Sequence, residues 1–185
     1  MQPPSDPAVE TAAGPGLATG EAHRRSGLLW PLTVGIIGLD QLTKALIVAT
    51  LPLYESWTII PGLLDLIHVR NEGVAFGILN ANDLPYKAAV TTFLALLALV
   101  GIAWYARQVR HDERVARFGL ALILGGALGN LVDRVRLGYV VDFVDVYWNQ
   151  WHFWAFNVAD AAISIGAILV FAELLVVRPH VSDPV

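Results

Sequence analysis

Apolar residues gather into four long runs, with polar residues falling between them or at a few points inside them. The first, LLWPLTVGIIGLDQLTKALIVATL (28–51), carries Asp40 and Lys44 within it. The second, AAVTTFLALLALVGIAWYA (88–106), is free of charge and matches the ~20 residues a bilayer-spanning helix needs. The third, FGLALILGGALGNLV (118–132), is short between Arg117 and Asp133, and spans only with Asp133, Arg134 or their neighbours at the interface. The fourth, AAISIGAILVFAELLVV (161–177), is interrupted by Glu173 alone. Small residues recur in the third (Gly125, Gly126, Ala127, Gly129) and the fourth (Ala161, Ala162, Ser164, Gly166), which lets helix backbones approach closely in lipid. The pattern predicts an all-α integral membrane protein with four transmembrane helices. A small β element and loops are expected on the outer membrane surface. The β element is assigned to 54–68, YESWTIIPGLLDLIH, where β-branched and aromatic residues surround Pro61 and Gly62.

The flanks divide the chain. Residues 1–27 are rich in Pro, Gly, Ala and small polar residues without an apolar period, and read as a disordered cytoplasmic tail. Residues 28–178 form the four-helix membrane domain, and 179–185 a short cytoplasmic C-terminal tail. Arg24 and Arg25 precede an apolar run, but Asp40 and Lys44 interrupt its core, so an uncleaved first span is expected rather than a signal peptide. Basic residues set the orientation. His23, Arg24 and Arg25, the set Arg107, Arg110, Arg114 and Arg117, and Arg178 belong on the cytoplasmic side. The loops 52–87 and 133–160 then face outward, with Arg134 and Arg136 as minor exceptions.

Composition agrees with this class. Of 185 residues, 56% are hydrophobic and 15% charged, against about 25% charged in ordinary soluble domains. Mean hydropathy is +0.57. A net charge of −4 with no basic block argues against a nucleic-acid partner. Cysteine is absent, which excludes a disulfide framework, a thiol nucleophile and a thiolate zinc site.

The candidate chemistry lies in polar residues beside hydrocarbon. In 139–169, YVVDFVDVYWNQWHFWAFNVADAAISIGAIL, Asp142 and Asp145 sit among aromatic and β-branched residues, and Asp160 opens the last span. A carboxylate there must recover lost hydration from partners or hold a proton. Two converging carboxylates can share one proton, one acting as base on a water while the other polarises a carbonyl. Asp160 reads equally as a first-turn acid, with Asn157 as the helix cap. Asp145 reads as a loop acid. Asp40 and Lys44, four apart, share a helix face; they form a neutralised pair, a lysine snorkelling to the outer interface, or part of a site. Asn71 to Gly77 mixes turn formers with small residues and reads as a tight entry into the next helix, and Asn130 and Arg134 suit a cap or interface. Trp148, Trp151, Phe153, Trp154 and Phe156 suit an interfacial aromatic belt, with His152 among them. From these residues alone two other classes stay open. One is a metal-dependent membrane hydrolase or lipid transferase with Asp142, Asp145, Asp160 and His152 as ligands. The other is a non-enzymatic transporter subunit or scaffold with a proton relay.

Five motifs in order make the chain resemble the lipoprotein signal peptidases (signal peptidase II). They are DQLTK (40–44), RNEGVAFG (70–77), GGALGNLVDR (125–134), GYVVDF (138–143) and FNVADAAI (156–163), and the likeness covers about 30–177. The resemblance implies an aspartic endopeptidase of the bacterial inner membrane, multi-pass, with both termini cytoplasmic and its site at the periplasmic face. It puts the catalytic aspartates on Asp142 and Asp160. Substrate-binding or dyad-supporting positions fall on Asp40, Lys44, Asn71, Gly73, Asn130, Arg134 and Asn157. It implies diacylglyceryl-modified prolipoprotein substrates cut just before the lipidated cysteine, no cofactor or metal, membrane lipid as surroundings, and inhibition by globomycin-type cyclic peptides. A monomer suffices, since four spans can enclose a site at one surface. Two departures are small: Val74 stands where the family often has alanine, and the N-terminal tail is longer than usual.

Overall fold

The computed structural model describes residues 29–73, 86–110 and 112–176. The expected tails and Val74 lie outside the described residues. Four helices, α1 (Leu29–Thr50), α2 (Lys87–Ala106), α3 (Arg114–Leu137) and α4 (Val158–Val176), alternate with strands β1 (Ser56–Ile60), β2 (Leu64–Asn71), β3 (Val140–Trp148) and β4 (Trp151–His152). All four helices are long and apolar enough to cross a membrane. Large side chains such as Phe93, Val100 and Trp104 on α2 and Ile168 and Phe171 on α4 are exposed. Such faces suit lipid, where every backbone group is satisfied inside the helix.

The central helix is α3: half of its spanning window is buried in the protein, against none of that of α2. Small residues make this possible. A methyl added at Gly119 would sit 2.7 Å from the Gly166 carbonyl oxygen, and one at Gly126 would collide with the carbonyl of Ala159. Thus α3 and α4 touch backbone to backbone. The third span is longer than expected, 24 residues rather than a run ending at Val132. Asp133 and Arg134 lie inside the helix because the charge of Asp133 is met by Lys44. The helix stops at Gly138, whose φ of +82° and N–H bond to the Arg134 carbonyl make a left-handed cap.

The all-α expectation was too narrow. The hairpin foreseen at 54–68 exists, but it is half of a four-stranded antiparallel sheet ordered β1-β2-β3-β4. The longest strand is β3, which begins with four buried residues, Val140, Val141, Asp142 and Phe143. A strand covered on both faces reads as a continuous apolar run rather than an alternation, so its period carried little signal. Phe143 packs with Ile47 and Leu51, joined by Leu66, Val144 and Val158, and this core fixes the sheet to the end of α1. The arginine-bearing connection from α2 to α3 lies at the other end of the bundle, since the C-termini of both α1 and α3 lead into the sheet.

Candidate active site

Asp142 stands on β3 opposite Val69, and Asn71 stands opposite Val140, two residues along. Diagonal neighbours on one face are within reach of each other. The Asn71 Nδ2 donates to Asp142 Oδ2 at 2.9 Å. The other end of that amide is fixed by a turn: the Gly73 N–H donates to Asn71 Oδ1 at 2.8 Å. Gly73 has a φ of +86°, a conformation open to glycine, and a Cβ there would collide with Thr91. The described part of the segment, Asn71 to Gly73, forms a turn that aims a donor at the carboxylate, while its continuation through Gly77 toward the next helix lies outside the described residues.

Asp160 enters from α4. Phe156 bridges to Val144 of β3, which places Asn157 against Asp142. Asn157 caps the helix: its Oδ1 accepts the Asp160 N–H at 3.0 Å, and its own N–H donates to Asp160 Oδ2 at 3.3 Å. This reciprocal pair is a capping box with Asp160 at the third helical position. The same Asn157 donates through Nδ2 to Asp142 Oδ1 at 2.6 Å. One asparagine thus touches both acids. Asn130 of α3 supports the second, its Nδ2 donating to Asp160 Oδ1 at 2.8 Å.

Behind the amides lies a buried ionic cluster. Lys44 is 3% exposed and Asp40 0%, so the snorkelling alternative is wrong. An ammonium has three protons to place, and Lys44 Nζ lies 2.9 Å from each of Asp40 Oδ2, Asp133 Oδ2 and Asn130 Oδ1. Its bond to Asn130 Oδ1 turns the Asn130 amide so that Nδ2 faces Asp160. Asp40 also accepts the Ala159 N–H at 3.0 Å, a charge at the positive end of α4. Asp133 accepts the Val141 N–H at 3.2 Å, tying α3 to the strand that carries Asp142. Gln41 donates to both acids, at 3.2 Å to Asp40 and 2.9 Å to Asp133. Gly129 leaves room for this: a Cβ there would lie 2.6 Å from Asp40 Oδ2.

Asp133 and Gln41 were not foreseen as site residues. The signal was present in the spacing of Gly125, Gly129 and Asp133, four apart on one face of α3. All the other anticipated positions meet here except Arg134, which is offset. Its guanidinium donates to the Asn130 carbonyl at 3.4 Å.

Burial pushes the Asp142 carboxyl up to about 6. The Asn71 donor opposes this rise, the charge of Asp160 adds to it, and Asn157 and Lys44 oppose it. Asp145 is three residues away, on the opposite face of β3. There it lies 2.8 Å from His152 Nδ1. The four-residue ligand set of the metal reading therefore does not converge.

A four-helix membrane bundle with two amide-held carboxylates against its sheet defines a membrane-embedded enzyme. Consistent with this, a bacterial membrane enzyme solved by the in meso method at 1.9 Å superposes with a TM-score of 0.70 and 30% identity, over 82% of this chain and 95% of that one. The family model of signal peptidase (SPase) II matches residues 32–176. The lipoprotein signal peptidase of Syntrophotalea carbinolica is 49% identical over 75% of this chain and 85% of its own length. That of Geobacter sulfurreducens is 45% identical over 78% and 89%. The chain belongs to the signal peptidase II family, peptidases that remove the signal peptides of lipoproteins.

Proposed function

We propose that Asp142 and Asp160 are the catalytic dyad of an aspartic endopeptidase that cuts diacylglyceryl-modified prolipoproteins before the lipidated cysteine. The observation that carries this is the bridge of Asn157 between the two acids, braced by Asn130 and Lys44. Asp142 has short amide donors on both oxygens, 2.6 and 2.9 Å, which favour its ionised form. It serves as the base. The second donor to Asp160, at 3.3 Å, is the longest of the four, so Asp160 Oδ2 carries the shared proton. Asp142 takes a proton from water as the oxygen attacks the scissile carbonyl, and Asp160 gives its proton to the carbonyl oxygen. On collapse, that hydroxyl proton returns to Asp160 and Asp142 protonates the departing amine of the cysteine. Asn71 and Arg134 flank the substrate backbone.

The site faces the periplasm from the inner membrane, with both termini cytoplasmic. This is supported by Arg107, Arg110, Arg114 and Arg117 around the connection at the far end of the bundle. The protein acts as a monomer, and globomycin-type cyclic peptides compete at the same site. The test is cleavage of a diacylglyceryl-modified prolipoprotein by purified protein in detergent, with and without EDTA. Expected is a product beginning at the lipidated cysteine, formed equally with chelator and absent with Asp142→Asn or Asp160→Asn. Loss of activity in EDTA would return the metal reading.

A further inference from the structure

Helix α2 does not lie flush against α3. Between their site-side ends runs a groove of about 480 Å³, lined by Ala88, Ala89, Thr92, Phe93 and Leu96 of α2 and by Arg134 and Val135 of α3. Ala88, Thr92 and Leu96 are four apart and share one helix face. Small side chains near the site end make the wall shallow there. The eight steps from Ala88 to Leu96, at 1.5 Å each, give a depth of about 12 Å, less than half of a ~30 Å hydrocarbon core. The lining is apolar except at Arg134 and the Thr92 hydroxyl. That guanidinium donates to the Asn130 carbonyl, and the Asn130 side chain donates to Asp160. The mouth of the groove is thus one residue removed from the dyad.

We infer that this groove receives one acyl chain of the diacylglyceryl group on the substrate cysteine, with Arg134 donating to an ester carbonyl at the mouth. The inference rests on the proposed peptidase reading and specifies how that site holds its lipid. Three features select this occupant. A signal-peptide helix, about 10 Å or more across, is too wide for a gap between two helices that touch. Its backbone carbonyls are also used internally in lipid, whereas an ester carbonyl is free to accept from a guanidinium. Finally, the residue bearing the glyceryl group follows the scissile bond, so it must sit beside Asp142 and Asp160, where Arg134 also lies. Lipid tails are as apolar as the groove walls, so the driving force is packing rather than escape from water. The groove therefore positions the cysteine more than it adds affinity for hydrocarbon.

The test compares two forms of one prolipoprotein, carrying dipalmitoylglyceryl or diacetylglyceryl on the same cysteine. Thr92→Phe and Ala89→Phe fill the groove, while Val90→Phe, next to Ala89 but outside the lining, is the control. Filling should raise KM for the dipalmitoyl substrate by about tenfold with kcat nearly unchanged, and leave the diacetyl substrate unaffected. Val90→Phe should change neither. An equal loss on both substrates, or no loss on the long-chain one, would overturn the acyl site while leaving the peptidase reading intact. If the unaltered protein cleaved neither form, the peptidase reading would fall and the acyl site with it.

Discussion

Asp142 and Asp145 stand three residues apart on β3, in a run written VVDFVD, yet they live in different chemistry. Asp142 meets neutral amides from β2 and from the cap of α4, with Lys44 one residue behind. Asp145 faces Asp65 across the ladder and pairs with His152, whose ring stacks on Tyr147 at 5.0 Å. The His152 side chain is 56% exposed, so water competes with that pair and weakens it. Asp142 is far more enclosed, at 2% exposed. Neutral donors hold a carboxylate in place without cancelling its charge. What separates the two acids is the set of elements that converge on each.

The strongest way to break this comparison is to make both acids neutral. Asp142→Asn should lower kcat by about 10³-fold or more, as expected for loss of a general base, and Asp160→Asn similarly. Asp145→Asn should stay within about threefold, because its partner His152 lies on the other face of the strand. The rates are read with one lipidated substrate at saturating concentration. Equal losses at 142 and 145 would erase the distinction.

Next in size is the support behind the amides. Lys44→Met leaves Asp40 and Asp133 buried without their cation. Breaking a buried pair by removing one partner costs about 3–5 kcal/mol, so thermal unfolding in detergent should fall by a corresponding margin. No single substitution on the Asp145 face should approach that. A loss below about 1 kcal/mol would mean that Gln41 and the Ala159 N–H suffice to hold the two acids.

Much of this contrast is legible in the sequence. The four spans followed from apolar length, and the motif likeness picked out Asp142, Asp160, Asn71, Asn130 and Asn157. What could not be read was partnership. Asp133 looked like the boundary of a short span, because its charge forbids a lipid-facing position. Only the approach of α1 shows Lys44 waiting for it. Strand β3 was hidden because burial on both faces removes the alternation that marks a strand. Asp160 illustrates the limit well: the capping reading and the catalytic reading compete in the sequence, yet the side chain that closes the capping box also accepts from Asn130 beside Asp142, so the two are compatible.

A finer test concerns pH. Burial pushes the Asp142 carboxyl up to about 6, and the proposed base is its carboxylate form, so activity should be full well above that value and fall as pH drops through it. The Asn71 donor favours the ionised form. Asn71→Ala therefore raises the carboxyl further and moves the acid limb of the kcat profile upward, by about one pH unit if the bond has the usual worth of one made to a charge. A limb that moves downward, or activity that instead declines as pH rises through 6, would assign the proton at rest to Asp142 and the base to Asp160.

The smallest effect tests the other face. His152→Ala removes the partner of Asp145, and exposed pairs contribute about 0.2–1 kcal/mol. Asp65 and Asp145 are register partners, and like charges directly opposite destabilise a ladder. The loss should therefore be larger in dilute buffer than at 1 M salt, where screening shortens to about 3 Å. Tyr147 keeps a second tie, its hydroxyl donating to Asp65 at 3.4 Å and accepting the Gly62 N–H at 3.1 Å, so the hairpin should stay folded. Unfolding temperatures at the two salt concentrations and a cleavage rate at each suffice. A salt-dependent dip in stability with unchanged kcat keeps Asp145 and His152 outside the chemistry. A tenfold fall in kcat would instead couple the two faces of β3 through the strand, and the division between its acids would have to be redrawn.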